Sequence, residues 1–407
     1  MKNVFTIILV LISMGSYSQT LEEYFKIAAE NNPGLLSQYK EFEAVLQKVP
    51  QVSTLPDPSL SFGYFVSPVE TRVGPQKARF SLTQMFPWFG TLKAQGDAAA
   101  LMAEAKYQSF LDARNKLYFE VSAAYYPLYE LQEWIKIEER NIAILESYKT
   151  ISNSKFKNGV GTLVDVLRVD IFLKESQTNL EILKKKERPL LTTFNKLLNR
   201  GEFEPVSISE TLEIDMLSFD NGKDSLLVDH PLLNSLELKV KAVEASERAA
   251  IKQGFPKIGL GLDYVMVDKR TDMVVPDNGK DVLMPMVTLS LPIFRKKYKA
   301  AVKEAQLMQE SYSLQKTEMT NSLLSNYEMA FFDIEQQTAL VSLFDEQITE
   351  SEQALNLLFT SYGNSGKDFE EVLRMQQQLL TYDKLKITAL KQYKIALAKL
   401  NYITAKK

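Results

Sequence analysis

Cysteine is absent from the 407-residue sequence, and histidine occurs once, as His230. Without a thiol the chain can form no disulfide and no cysteine nucleophile, and it cannot carry a lipid anchor on an N-terminal cysteine. One imidazole cannot build a multi-histidine metal site, and its place before Pro231 predicts the start of a helix. Walker A, zinc-protease and nucleophile-elbow motifs are also missing. We therefore predict no enzymatic activity, no cofactor and no metal site.

The sequence also lacks long hydrophobic runs and a large excess of charge of either sign. The formal net charge is −3, which offers no basic footprint for nucleic acid. Residues 1–18 have a charged start, a short apolar core and a small-x-small end, which predicts a secretory signal peptide. No later stretch has about 18 consecutive apolar residues. If the exported chain crosses a membrane, it must do so as strands.

Two glycine-bearing stretches, Ser154–Arg168 and Thr360–Met375, interrupt long helical patterns. On both sides of the first stretch, apolar residues recur at steps of three, four and seven, which is typical of a coiled-coil seam. A tight turn between two such helices makes an antiparallel hairpin. We predict long helical hairpins over residues 90–199 and 293–404, with helices of roughly 100 Å at 1.5 Å per residue.

Residues 59–86 and 257–291 have a period of two instead. Large apolar residues such as Leu60, Phe62 and Tyr64 alternate with small or polar ones, which predicts a pair of strands in each region. One apolar face and one polar face suit a lipid-facing barrel with a wet lumen. A soluble sandwich would give the same alternation, so this pattern alone leaves both structures open.

The second half of the sequence repeats the first. Pro87 and Pro292 follow the second strand of their respective pairs, and each precedes a long helix. The matched residues keep the same order in both halves. The number of residues that separates matched positions grows slowly along the chain, as small insertions in a duplicated unit would produce. We predict two structural repeats, at about 19–200 and 230–407, joined by a connector at 200–229.

Four strands cannot close a barrel, and open sheet edges are not tolerated in lipid. The chain must therefore oligomerise, and three copies would supply twelve strands. The same symmetry would arrange twelve helices into a tube. The expected fold class is mainly α with a small transmembrane β part.

This arrangement resembles the outer-membrane factor family, the TolC-like exit ducts of Gram-negative efflux and secretion systems. The resemblance is carried by the two turn motifs and by the junction prolines, in the same order over the whole mature chain. It implies a homotrimer in the outer membrane, with a twelve-stranded barrel that continues into a periplasmic helical tunnel. It also implies an equatorial belt, and hairpin tips that dock onto a periplasmic adaptor linked to an inner-membrane pump.

The resemblance also assigns roles to residues at the two tips. The first docking loop would consist of Gly159, Val160, Gly161, Thr162 and Leu163. The second would contain Gly363, Asn364, Ser365 and Gly366. A gate cluster would combine Asp165, Tyr362 and Lys367, in which a carboxylate faces a phenol and a cation. Glu371 would form an acidic ring at the constriction, and Arg374 occupies a position where some members have a second carboxylate. The same charges could equally be solvated surface residues.

The cargo is less constrained by the sequence. The run from Gln84 to Gly90 resembles the strand-to-helix junction of the heavy-metal branch, which implies metal-cation export with a resistance-nodulation-division pump. Multidrug or type I secretion export is the alternative within the family, and a structural periplasmic scaffold is the alternative outside it. Met266, Met284 and Met286 could be soft metal contacts or ordinary strand side chains.

Overall fold

The computed structural model describes residues 20–208, 211–214, 229–365 and 369–405. The predicted signal peptide and most of the predicted connector lie outside these ranges. The helices of the described residues are α1 Leu21–Asn31, α2 Pro33–Leu46, α3 Lys48–Ser53, α4 Thr91–Lys157, α5 Leu163–Leu197, α6 Pro231–Gln253, α7 Arg295–Ser365 and α8 Phe369–Ile403. The strands are β1 Ser59–Val69, β2 Gln76–Phe86, β3 Lys257–Val267 and β4 Val282–Ser290.

The four strands form one antiparallel sheet in the order β1-β2-β3-β4. The central pairing of β2 with β3 joins the two predicted strand pairs, so residues far apart in sequence share one sheet. Pro285 lies in β4, which is an edge strand of this sheet, where a missing backbone N–H is tolerated. The prediction of a mainly helical chain with four strands is confirmed.

The chain divides into two compact units, and each draws on both halves of the sequence. Unit 1 contains residues 1–36, 114–222 and 325–407. Unit 2 contains residues 37–113 and 223–324, including the whole sheet. Hairpin helices of both halves of the sequence pack together in unit 1. Among the described helices, none has an apolar stretch of the length that a membrane span needs.

Buried polar contacts join the hairpin helices inside unit 1. Asn141 on α4 donates to the Ser176 hydroxyl on α5 at 2.8 Å and accepts from the Gln376 amide on α8 at 3.1 Å. The buried Glu138 pairs with Lys384. Such contacts need facing partners in one register, so they select a single alignment of the three helices.

His230 is the N-cap of α6, as its position before Pro231 predicted. Its Nδ1 accepts from the backbone N–H of Leu232 at 3.2 Å, and its side chain is fully buried. Burial lowers the pKa of the imidazole to about 4, because the charged form loses its water. The folded protein therefore holds a neutral histidine that acts as a hydrogen-bond acceptor.

We expect this histidine to make the protein sensitive to mild acid. Its folded pKa lies below the unfolded value, so its stabilising contribution is complete above about pH 6.5 and is lost as pH falls toward 4. From pH 7 to pH 5 this loss is roughly 2 kcal/mol. His230→Asn keeps a cap without the titration, and its thermal midpoint in detergent should fall less over this range. The neighbouring Asp229→Asn should behave like wild type, and equal acid sensitivity of His230→Asn and wild type would contradict the assignment.

Candidate functional site

The first hairpin tip is a tight turn between Lys157, where α4 ends, and Leu163, where α5 begins. Gly159 has φ +75°, a left-handed conformation that glycine adopts without steric cost. Gly161 is needed for a different reason, because a Cβ there would lie 3.0 Å from the Cβ of Lys155. Val160 is exposed at the end of the turn, where its N–H donates to the Lys155 carbonyl at 3.0 Å. These residues form the predicted first docking loop.

Thr162 and Asp165 form a capping box at the start of α5. The Thr162 hydroxyl accepts from the N–H of Asp165, and the Asp165 carboxylate accepts from the N–H of Thr162, both at 3.2 Å. Asp165 therefore stabilises the helix start, in addition to the gate role that the sequence predicted for it.

The second tip is described only in part. Helix α7 continues through Gly363 to Ser365, and α8 begins at Phe369. The backbone of Asn364 and Ser365 forms the last residues of α7. Gly366 and Lys367 lie outside the described residues. The predicted contact of Lys367 with the gate cluster therefore stays a prediction.

Tyr362 is buried between the two hairpins. Its ring stacks on Phe369 at a centroid distance of 4.4 Å, and the Lys155 ammonium lies 4.3 Å from its centroid. Lys155 also donates to the carbonyls of Tyr362 and Gly363, at 2.6 and 3.2 Å. Within the described part of the chain, the cation at the phenol is Lys155. The sequence pattern gives no sign of this residue, because only the packing of α4 against α7 brings it to Tyr362.

The hydroxyl of Tyr362 is buried and has no hydrogen-bond partner among the described residues. Burial raises the pKa of this phenol, and the nearby negative charge of Asp165 raises it further. The phenol therefore stays protonated and can donate a hydrogen bond. Asp165 and Tyr362 are close enough to interact electrostatically, as the predicted gate cluster requires, although the Asp165 carboxylate is engaged in the cap.

Ion pairs hold the helices of both hairpins together near the tips. Arg168 on α5 pairs with Glu370 on α8 at 2.7 Å, so this bridge links the first hairpin to the second. Lys149 and Lys174 both bind Asp170, and the Lys149 hydrogen bond is the larger cause that lowers the pKa of this carboxyl to about 2. The sequence pattern gives no sign of the Lys149–Asp170 and Arg168–Glu370 pairs, because the two partners of each pair come from different helices.

Glu371 and Arg374 form an ion pair with each other on the exposed side of α8. The side chains are 44% and 72% exposed, so neither belongs to the buried tip core. The pair brings two oppositely charged predicted constriction residues together. A free acidic ring at Glu371 would require Arg374 to turn away.

The sheet has one apolar and one polar face, as the alternation predicted. Across the four strands the register aligns Phe62, Phe80, Tyr264 and Leu283 in one row, and Leu60, Leu82, Leu262 and Pro285 in the next. These residues are exposed, with Leu60 at 70%. An apolar surface of this extent marks contact with lipid or with another protein.

The opposite face carries small and polar residues on β1 and β2, such as Ser61, Gly63 and Ser81, together with apolar residues on β3 and β4, such as Val265 and Val282. Asp263 is fully buried there and is held by Arg79 and Ser81 of the neighbouring strand β2. Met284 and Met286 are on this face, whereas Met266 is aligned with the apolar face. The three methionines are therefore not one cluster. Among the described residues, no group of three or more histidines or carboxylates could hold a metal ion.

The two junction prolines connect the sheet to the long helices. Pro87 directly follows β2, and Pro292 lies between β4 and α7. After Pro87, Trp88 stacks on Phe255 from the segment before β3, with ring centroids 5.3 Å apart. Because proline has no backbone N–H to donate to a neighbouring strand, it favours the end of a strand at this position.

Neither a protein-family model nor a curated protein matches this sequence. Solved structures match it over nearly its whole length. The outer-membrane channel OprN is 17% identical with a TM-score of 0.77, over 95% of this chain and 90% of OprN. CusC, a protein studied for transmembrane channel formation, is 13% identical with a TM-score of 0.78, over 94% and 91%. The MtrE outer-membrane channel of Neisseria gonorrhoeae is 18% identical with a TM-score of 0.73, over 94% and 88%.

The chain has the fold of these outer-membrane channels. This confirms the fold class that the sequence predicted, including four strands in each chain. Matches at this level of identity establish the fold alone. The roles of individual tip residues remain predictions.

We expect the capping box to stabilise the first tip. Thr162→Val removes the hydroxyl that accepts from Asp165, and the loss of such a cap costs about 1 kcal/mol. Hydrogen exchange at Val164, Asp165 and Val166 should become about fivefold faster, since about 1.4 kcal/mol corresponds to tenfold.

The matched control is Thr178→Val, on the same helix, whose exposed hydroxyl donates only to the Lys174 carbonyl. It should leave exchange at the tip unchanged. Equal exchange in Thr162→Val and wild type would show that the cap does not hold this helix start.

Proposed function

We propose that the chain is the outer-membrane exit duct of a tripartite efflux system, a passive channel from the periplasm to the exterior. The exposed apolar face of the sheet carries this proposal, together with the polar face behind it. A sheet with one face for lipid and one for water is what a channel wall requires. The likeness to outer-membrane channel structures supports the same function and location.

The two edge strands support a homotrimer. In each chain β1 and β4 have a neighbour on one side only. In lipid their free backbone groups must pair, and three copies joined edge to edge would close a twelve-stranded barrel. The outer-membrane lipid would then contact the apolar face, and the helical hairpins would extend into the periplasm.

Docking would take place at the hairpin tips. The exposed residues Val160, Leu163 and Val164 offer apolar side chains to a periplasmic adaptor protein. The adaptor would link the duct to an inner-membrane pump, for which the resistance-nodulation-division type is our proposal. Because the duct is passive, the pump would supply the energy.

We assign small solutes as the cargo, with metal cations favoured by the resemblance of the Gln84–Gly90 run to the heavy-metal branch. Multidrug export and type I secretion remain alternatives. The separation of Met266 from Met284 and Met286 removes one argument for metals. A duct need not bind its cargo, so this separation does not count against their passage. A periplasmic scaffold is the alternative of another class, and it gives no reason for an exposed apolar sheet face.

Planar-bilayer conductance of the purified protein tests the duct and the proposed constriction together. We expect trimer-sized pores, with a cation preference that falls by about twofold in Glu371→Gln and rises in Arg374→Gln, because the two charges have opposite signs. Opposite shifts in the two variants would support a constriction lined by this ion pair.

If both variants form pores with the selectivity of wild type, the duct stands and the charged ring at the constriction is ruled out. Failure of a folded, detergent-extracted sample to form pores would contradict the duct and favour the scaffold.

A further inference from the structure

A cleft of about 1010 Å³ opens in unit 2 beside the sheet. Its walls come from residues 50–57, the start of α4, the region between α6 and β3, and the start of α7. Lys252, Lys257 and Lys297 line it, against a single carboxylate, Asp57. In the described part of the chain, none of the three lysines forms an ion pair with a carboxylate. Among the described residues, the cleft therefore carries an excess of positive charge.

Both long helices that begin at this cleft lack acidic residues in their first turns. Helix α7 instead starts with Arg295, Lys296 and Lys297. Negative charge is favoured at a helix N-terminus and positive charge is not. Helices α1, α5 and α8 follow this rule, with acidic residues in their first turns. Helices α2, α3 and α6 also lack acidic residues in their first turns, and among the described helices α7 alone begins with three basic residues.

The start of α4 has two further features. The Lys252 ammonium lies 3.2 Å from the Phe89 carbonyl, and it lies 2.7 Å from where a Cβ on Gly90 would stand. Thr91, the first residue of α4, is only 3% exposed, and its hydroxyl has no hydrogen-bond partner among the described residues. An ammonium, a helix N-terminus and an unpartnered buried hydroxyl thus meet at one wall of the cleft.

We propose that this cleft binds a phosphate group. Free N–H groups at a helix start, a hydroxyl and lysine ammoniums are the donors that phosphate oxygens accept from. The Trp88 and Phe255 rings, which also line the cleft, add an apolar surface for the remainder of the ligand. The phosphate would come either from a phospholipid headgroup or from a soluble phosphate. Only the lipid source depends on the proposed place of the sheet in a membrane.

The test is calorimetric titration of the detergent-solubilised full chain with inorganic phosphate and, separately, with a short-chain phosphatidylglycerol. We expect saturable binding of at least one of the two. Lys252→Met should weaken it at least tenfold. Lys299→Met is the matched control, because Lys299 is an exposed lysine of α7 that does not line the cleft. This control should bind like wild type.

The two ligands separate the sources. Binding of inorganic phosphate that competes with the lipid identifies a soluble-phosphate site, while binding of the lipid that phosphate does not displace identifies a headgroup site. If Lys252→Met fails to fold, Thr91→Val removes the unpartnered hydroxyl and should also weaken binding. Absence of binding to folded wild type, or unchanged binding in the cleft variant that folds, would overturn the proposal. Pore formation by the same sample tests the duct separately, so conductance without phosphate binding would refute the cleft alone.

Discussion

Unpaired backbone groups at the two edges of the sheet are the constraint on which the proposed duct depends. Strands β1 and β4 each have one open side, and the sheet also exposes an apolar face. In water, either feature invites aggregation. In lipid, the apolar face is stable, but every open backbone group must find a partner. Edge-to-edge closure by further copies of the chain satisfies both requirements, and the junction prolines then turn each chain from strand into helix.

The hairpin tips depend on a different interaction, the shared core of the two hairpins. Leu145, Tyr148, Val169 and Tyr362 belong to one buried cluster with residues of α8, so four helices contribute to it. Two cations of the first hairpin also bind the second: Lys155 donates to backbone carbonyls of α7, and Arg168 pairs with the Glu370 carboxylate. Relative movement of the hairpins at the tips would break these contacts, so a gate built from the predicted tip residues would have to open against them.

Periodicity was sufficient to predict the helices, the strands and the two faces of the sheet, because burial and exposure follow the geometry of each element. It could not predict contacts between elements. The cation at Tyr362 is Lys155 because α4 packs against α7, and Asp165 also serves as a cap. Met266 and Met284 were grouped by residue type, although strand register puts them on opposite faces. The charged cleft was missed for the same reason, since its lysines come from three separate segments.

Contact of the apolar sheet face with lipid can be tested by spin labelling in membranes. The chain has no cysteine, so single cysteines at positions 59 to 66 of β1 can be labelled without background. Accessibility to oxygen, which reports contact with lipid, should be highest at positions 60, 62, 64 and 66, while a polar relaxation agent should reach positions 61 and 63. Equal exposure of all these positions to the polar agent, with no period of two, would contradict contact of this face with lipid.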